Sequence, residues 1–325
     1  MIPYEWFERA QERIRPHTVR TPLTQDVDRG LFLKWENHQV TGSFKARGAL
    51  NKVLTLEDWE RATGLVAASA GNHGQGVALA GQLTGSTVQV FVPAHAAPSK
   101  VDAIRSLGGE IRFVEGGYGE TETAALEYAR EEDKTFISPY NDGQVVAGQG
   151  TIALEAAQQL AAEFHTAPAD VAAWVFPTGG GGLICGCSAA LGPRGSRAKI
   201  YGVQPAASAF THGLFHRHTQ EGVRDEPTLA DGLSGAIDGD SITIPMLREL
   251  VTDIFTVSET AIERAIAFAW WCYGERIEGS AATSLAAVLE GTIAERPCVV
   301  VLTGGNIERE VFDEIAARHP AKARL

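Results

Sequence analysis

The chain has 325 residues, 44% of them apolar and 21% charged, the balance of an ordinary globular protein rather than a disordered or fibrous one. Its formal net charge of -12 argues against nucleic acid and anionic membranes as partners, since both need clustered Lys and Arg. The length suits one large domain or two closely joined ones, and a small-molecule partner is expected.

Met1 to Val19 carries Glu5, Glu8, Arg9, Glu12, Arg13 and Arg15 and lacks the apolar run of a signal peptide. No later apolar run is long enough to span a bilayer, so a cytoplasmic protein is expected. The first clear strand signal is Leu31 to Trp35. It is followed by Thr41-Gly42-Ser43-Phe44-Lys45-Ala46-Arg47-Gly48-Ala49, which predicts a helix with Ser43 as N-cap and Lys45 just inside it. A Lys is ordinarily a solvated charge. Here Phe44, Ala46 and Ala49 suggest an enclosed setting, where desolvation would lower the amine pKa towards nucleophilic or Schiff-base chemistry.

A strand over Leu65 to Ala68 runs into the polar, Gly-containing segment Ser69-Ala70-Gly71-Asn72-His73-Gly74. Strands over Val88 to Val92 and Ile111 to Val114 come next, then helices over Ala124 to Arg130 and Thr151 to Glu163. The strand Val171 to Phe176 leads into Gly179-Gly180-Gly181-Gly182 and an apolar helix starting near Leu183. Backbone without side chains at a helix N-terminus can wrap a phosphate, because free amides and the helix dipole favour an anion there. A flexible turn is the alternative. No Lys-Ser or Lys-Thr follows the glycines and the dinucleotide spacing fails, so neither a P-loop nor a dinucleotide fingerprint is present.

Beyond the strand Ile200 to Val203, the polar stretch Thr211 to Gln220 holds His212, His216 and His218 without a familiar metal-ligand spacing. It reads as a surface loop, with an active-site rim as the alternative. Helices are expected over Ser258 to Tyr273 and Ala282 to Leu289. The last strand, Cys298 to Leu302, enters Thr303-Gly304-Gly305-Asn306 and a final helix. Cys185, Cys187, Cys272 and Cys298 read as small packed residues rather than disulfide or zinc partners. Alternating strands and helices indicate an α/β protein with parallel sheets. Ligands bind at the carboxyl ends of such strands, so the three Gly loops are expected to converge on one crevice.

Taken together, these segments resemble the fold-type II pyridoxal phosphate (PLP) enzymes, and among them the serine/threonine dehydratase and serine racemase family. The resemblance rests on Arg20-Thr21-Pro22-Leu23, the Lys45 segment, Ser69 to Gly76, Ala147 to Glu155, Gly179 to Gly182, Glu278-Gly279-Ser280 and Thr303 to Asn306, in family order along nearly the whole chain. It implies a two-domain α/β fold like the tryptophan synthase β-subunit, with parallel-rich twisted sheets and helices on both faces. A large PLP-binding domain, 1–61 and 142–325, would carry a small inserted α/β domain, 62–141. The chain would end too soon for the regulatory domain of biosynthetic threonine dehydratases, and a homodimer is expected.

The same resemblance implies Lys45 as the Schiff-base lysine, Phe44 packing by the ring, and Asn72 as donor to the ring hydroxyl. It makes Gly179, Gly180, Gly181 and Gly182 the phosphate cup and sets Thr303 against the pyridine nitrogen. Ser69, Ala70, Asn72 and His73 form the substrate-carboxylate loop, although a His in such a loop is often only structural. A hydroxyl at the pyridine nitrogen makes a weaker electron sink than a carboxylate would, which favours expulsion of a β-leaving group. The implied reaction is α,β-elimination from a 3-hydroxy amino acid such as L-threonine or L-serine, giving a 2-oxo acid and ammonia, with Lys45 as general base.

Racemases of the family carry a Ser as second base at the position of Ala70, and alanine transfers no proton. Members that bind a divalent cation use acidic side chains at the positions of Gln204 and Phe210, so no tight divalent cation is expected. The alternatives are a dehydratase for phenylserine, hydroxyaspartate or a hydroxyectoine-derived compound, an amino-acid racemase, and a non-enzymatic PLP carrier.

Overall fold

The structure is a computed structural model that describes residues 2–192 and 197–320. The expected large domain reaches residues 1, 193–196 and 321–325, which lie outside the described residues. Two sheets organise the chain. The larger has six strands in the order β1 (Leu23–Asp26), β2 (Leu31–Trp35), β10 (Cys298–Leu302), β7 (Ala173–Pro177), β8 (Lys199–Pro205) and β9 (Asp253–Val257). Every neighbouring pair is parallel except β1 with β2. The smaller has four parallel strands, ordered β5 (Glu110–Val114), β4 (Val88–Pro93), β3 (Leu65–Ala68) and β6 (Thr135–Phe136).

Every residue of β2, β7 and β10 is buried, as a parallel sheet covered on both faces requires. One face of the large sheet packs on α11 (Glu259–Phe268), α12 (Gly279–Leu289) and α13 (Arg309–Arg318), and the other on α1 (Tyr4–Ile14), α7 (Gly143–Glu163), α8 (Gly182–Leu191) and α10 (Thr243–Leu250). The small sheet packs on α4 (Asn72–Thr84), α5 (Pro98–Ser106) and α2 (Lys45–Thr55) on one side and on α6 (Tyr118–Glu131) on the other. The short helix α3 (Asp58–Ala62) links the two units and α9 (Phe210–Arg217) follows β8. No helix among the described residues is long and apolar enough to cross a membrane.

Several elements depart from the sequence reading. The helix expected over Thr151 to Glu163 begins at Gly143, where the Asp142 carboxylate accepts from the N–H groups of Gln144 and Val145. Gly148 and Gly150 hide the helical pattern because they serve packing. A Cβ at Gly148 would meet the Arg47 carbonyl at 2.6 Å, and one at Gly150 the Phe7 ring at 2.5 Å. Strands β1, β6 and β9 give no clear signal because the first is polar, the second has two residues and the third is a half-exposed edge.

Most of Thr211 to Gln220 is helical rather than a loop. Helix α9 runs to Arg217, and His218 ends it at φ 60°. A Gln204 oxygen accepts from the His212 N–H at 2.7 Å near its start. The helix expected to run from Ser258 to Tyr273 is α-helical only to Phe268, and Ala269–Tyr273 form a π-helical turn.

Candidate active site

A cavity of about 270 Å³ lies where the carboxyl ends of β3, β7 and β10 meet the start of α2. Lys45 is the first residue of α2. The residue before the helix is Phe44, and no side chain caps it, so the Ser43 cap expected from sequence is absent. The Ser43 backbone instead bridges to Gly304, the Phe44 N–H donates to the Thr303 carbonyl at 2.9 Å, and the Ser43 hydroxyl is buried without a partner. Main-chain bonds to the loop after β10, rather than a side-chain cap, therefore fix where the helix starts.

Lys45 Nζ donates to the Pro139 carbonyl at 3.1 Å and lies 5.2 Å from the centre of the Phe44 ring. Burial lowers its pKa to about 8, with the Glu278 carboxylate opposing the shift. An amine on the cavity wall with that pKa keeps an appreciable unprotonated fraction near neutrality.

The glycine loop joins β7 to α8 and forms a cradle that side chains would fill. A Cβ at Gly180 would meet the Tyr140 ring at 2.4 Å, and one at Gly182 would meet Tyr140 at 3.1 Å. A Cβ at Gly179 would meet Leu233 at 3.2 Å, and Gly181 has φ +85°. Thr211 and Thr243 hydroxyls donate to the carbonyls of Gly179 and Gly180 at 2.5 and 2.7 Å. With those carbonyls engaged, the N–H groups at the start of α8 are left for an anion.

The loop after β3 carries Ser69, Ala70, Gly71 and then Asn72, the first residue of α4. The Ser69 hydroxyl accepts from the Gly71 N–H at 3.1 Å. His73 is buried with Nε2 2.7 Å from the Ile137 carbonyl and Nδ1 unpartnered. A carbonyl can only accept, so Nε2 carries the proton and Nδ1 its lone pair. Burial, reinforced by the nearby Lys45, lowers the imidazole to about 3. Thr303 is buried at the end of β10 and borders the same cavity, as do Ala70 and Phe44.

Every residue to which the resemblance gives a cofactor or substrate role therefore lines this one cavity. The histidine group does not. The His212 and His216 rings lie 4.4 Å apart, with His216 Nε2 3.1 Å from an Asp253 oxygen, and none of the three histidines borders the cavity. Among the described residues no group of three or more His, Cys, Asp or Glu is placed to hold a metal ion.

Sequence reasoning assigns no role to several groups that the fold brings to this wall. Tyr140 roofs the glycine cradle, and Lys100 pairs with Asp231 across the rim. Glu278 accepts from Asn72 Nδ2 at 2.7 Å, and burial, with Asp231 adding to it, raises its pKa to about 7. Glu278 stands in a segment that carries the family resemblance, and its place between the buried Ile277 and a helix buried from Gly279 to Val288 is unusual for an acid. Tyr140 carries no such signal. A glycine cradle at a helix N-terminus, a desolvated Lys and hydrogen-bonding groups around one cavity fit PLP.

A sequence model of the pyridoxal-phosphate dependent enzyme family matches residues 14–304. The L-threonine ammonia-lyase of Thermotoga maritima is 37% identical over 322 residues, spanning 97% of this chain and 78% of that protein. Among solved structures, the T.th. threonine deaminase is 34% identical with a TM-score of 0.84, covering 94% of this chain and 98% of that one. Maize serine racemase is 28% identical with a TM-score of 0.87, covering 98% and 97%.

Proposed function

The chain belongs to the pyridoxal-phosphate dependent enzyme family, and on that premise we propose that it is an ammonia-lyase for L-threonine or L-serine, converting a 3-hydroxy amino acid to a 2-oxo acid and ammonia. The observation that carries this reading is the desolvated Lys45 amine on the wall of a cavity that also holds the glycine cradle and Asn72. PLP, when bound, supplies an aldehyde for Lys45 and an electron-withdrawing ring that acidifies the α-proton of an amino acid. Gly179 to Gly182 would hold its phosphate, Asn72 its ring hydroxyl and Thr303 its ring nitrogen, with Phe44 beside the ring.

Lys45 acts as general base at the α-carbon, because its lowered pKa leaves part of the amine unprotonated. The substrate carboxylate binds at Ser69, Ala70, Asn72 and His73, where main-chain N–H groups at the start of α4 supply donors. The contribution of His73 there is its backbone N–H, since its one ring N–H is spent on Ile137. Ala70 borders the cavity and offers no proton. Reprotonation from the face opposite Lys45 then lacks a side-chain acid, which favours elimination over racemisation.

Residues 62–141 are read as a small domain carrying the substrate loop, supported by the smaller sheet, whose strands fall between Leu65 and Phe136. A cytoplasmic homodimer completes the reading, and sedimentation of the purified protein tests the dimer.

The test is a panel of L- and D-serine, L-threonine, 3-hydroxyaspartate and phenylserine, scored for 2-oxo acid and for racemisation, with Lys45→Ala as control. L-threonine or L-serine giving 2-oxo acid fastest is the expected result. Faster interconversion of the serine enantiomers than pyruvate formation would replace lyase by racemase. Cofactor bound to Lys45 with no turnover of any amino acid would leave a carrier.

A further inference from the structure

Asn72 does not stand alone on the cavity wall. Asn306 Nδ2 donates to the Thr41 carbonyl at 2.8 Å and to Asn72 Oδ1 at 2.7 Å, and Asn72 Nδ2 donates to Glu278 Oε1 at 2.7 Å. The direction of this chain follows from its first member. A main-chain carbonyl can only accept, so the Asn306 atom facing Thr41 must be its NH₂ group. That group has two hydrogens, and the second meets Asn72, whose facing atom must then be the oxygen. The Asn72 NH₂ group consequently faces Glu278, spends one hydrogen there and keeps one.

Two glycines make room for the chain. A Cβ at Gly42, whose φ is +71°, would meet Asn306 Oδ1 at 2.5 Å, and a Cβ at Gly304 would meet Glu278 Oε1 at 2.6 Å. Both glycines belong to segments singled out from sequence, one before Lys45 and one after β10. Neither the cradle nor the carboxylate loop explains them.

We propose that Glu278 and Asn306 are positioning residues that lock the Asn72 side-chain amide so that its unspent N–H, on the edge facing Glu278, is the group offered to the cofactor's ring hydroxyl. Without them the amide can rotate by half a turn, which exchanges donor and acceptor at nearly unchanged shape. The inference rests on the reading of Asn72 as the ring-hydroxyl partner. The charged or titratable groups that act on Glu278 are Asp231 beside the cavity, Lys100 from α5 and Lys45 from α2, and its remaining polar partners are Asn72 and Asn306.

The test uses the holoenzyme with Glu278→Gln, Glu278→Ala and Asn306→Ala at one fixed pH. The first readout is the ratio of the two absorption bands of the bound chromophore, which reports where the proton near the ring oxygen lies. The second is the dissociation constant of PLP for the apoprotein. Glu278→Gln keeps an oxygen that accepts from Asn72 and is expected to retain the wild-type ratio. Glu278→Ala and Asn306→Ala are each expected to shift the ratio and to weaken PLP binding by about fivefold, the worth of one ordinary hydrogen bond.

An unchanged ratio in both alanine variants, with PLP bound, overturns the inference. So does an equal shift in Glu278→Gln and Glu278→Ala, which would make the charge and not the accepting oxygen responsible. If Glu278→Ala does not fold, Asn306→Ala decides alone. Wild-type protein that takes up no PLP refutes the proposed function itself, so the two failures are told apart.

Discussion

Arg47 grips both oxygens of Glu36, with Nε and Nη2 each at 2.8 Å, two residues along α2 from Lys45. The same guanidinium reaches Glu155 at 3.1 and 3.2 Å, and Lys34 Nζ lies 2.6 Å from that carboxylate. Lys34 and Glu36 are fully buried and Arg47 is 1% exposed, so two cations and two anions balance inside the protein. Burial works against the Arg47 charge, but the two carboxylates raise its pKa all the same. Removing one member leaves a buried charge unpaired. Arg47→Met is therefore expected to lose about 3–5 kcal/mol of stability. Arg47→Lys should fail to restore it, since an ammonium cannot make the paired contact. Chemical denaturation of the apoprotein measures both, and a loss below about 1 kcal/mol would refute the account.

Lys45→Ala separates chemistry from folding. The α-proton then has no base, and a fall of at least about 10²–10⁴-fold in 2-oxo acid formation is expected. The apoprotein should melt at or above the wild-type temperature, because the variant removes an amine whose charge is disfavoured by burial. A variant that keeps turnover, or that unfolds, contradicts the assignment.

The cradle makes a paired prediction. Gly180→Ala would drive a methyl group into the Tyr140 ring, 2.4 Å from the new Cβ, and should cost the protein its grip on PLP. Gly119→Ala, in α6 with nothing within 4 Å of a new Cβ, should be neutral or stabilise by about 0.5–1 kcal/mol. Equilibrium dialysis with PLP and thermal melts of both variants check this, and equal PLP affinity in the two would argue against the cradle.

The contrast between Gly180 and Glu278 shows what can be read in advance. Four consecutive glycines between a buried strand and an apolar helix mark themselves, because few other arrangements need backbone without side chains there. The strands β2, β3 and β10 are likewise legible as apolar runs with boundaries matching those expected. Glu278 and Asn306 stand in segments that carry the resemblance, but what they do is legible only once the fold places them 2.7 Å from Asn72 on either side, through contacts that span 206 and 234 positions of sequence. Helix α7 is half hidden for a related reason. Its glycines answer to Arg47 and Phe7 across a packed interface, and no local pattern reports that.

The acid–base behaviour of the cavity wall gives a prediction of sign. Burial holds His73 at about 3 against an ordinary 6.5, so between those values the unfolded chain binds a proton that the folded one refuses. His73 therefore contributes stability above pH 6.5 that is lost as the pH falls towards 3. The slope is at most about 1.4 kcal/mol per pH unit. Glu278 behaves oppositely. Its pKa is raised from 4.5 to about 7, so its contribution is complete below pH 4.5 and is lost as the pH rises towards 7. The two slopes oppose each other between pH 4.5 and 6.5, where the wild-type apoprotein should show little net dependence from this pair. Single variants uncover each one. Relative to wild type, His73→Gln should lose stability as the pH rises through that window, and Glu278→Gln should lose it as the pH falls. Denaturation midpoints taken from about pH 4 to about pH 8 read the two difference curves. A flat curve for either variant would mean that the group titrates in the folded protein as it does in the unfolded chain, and curves of the same sign would mean that one of the two pKa values is shifted in the opposite direction.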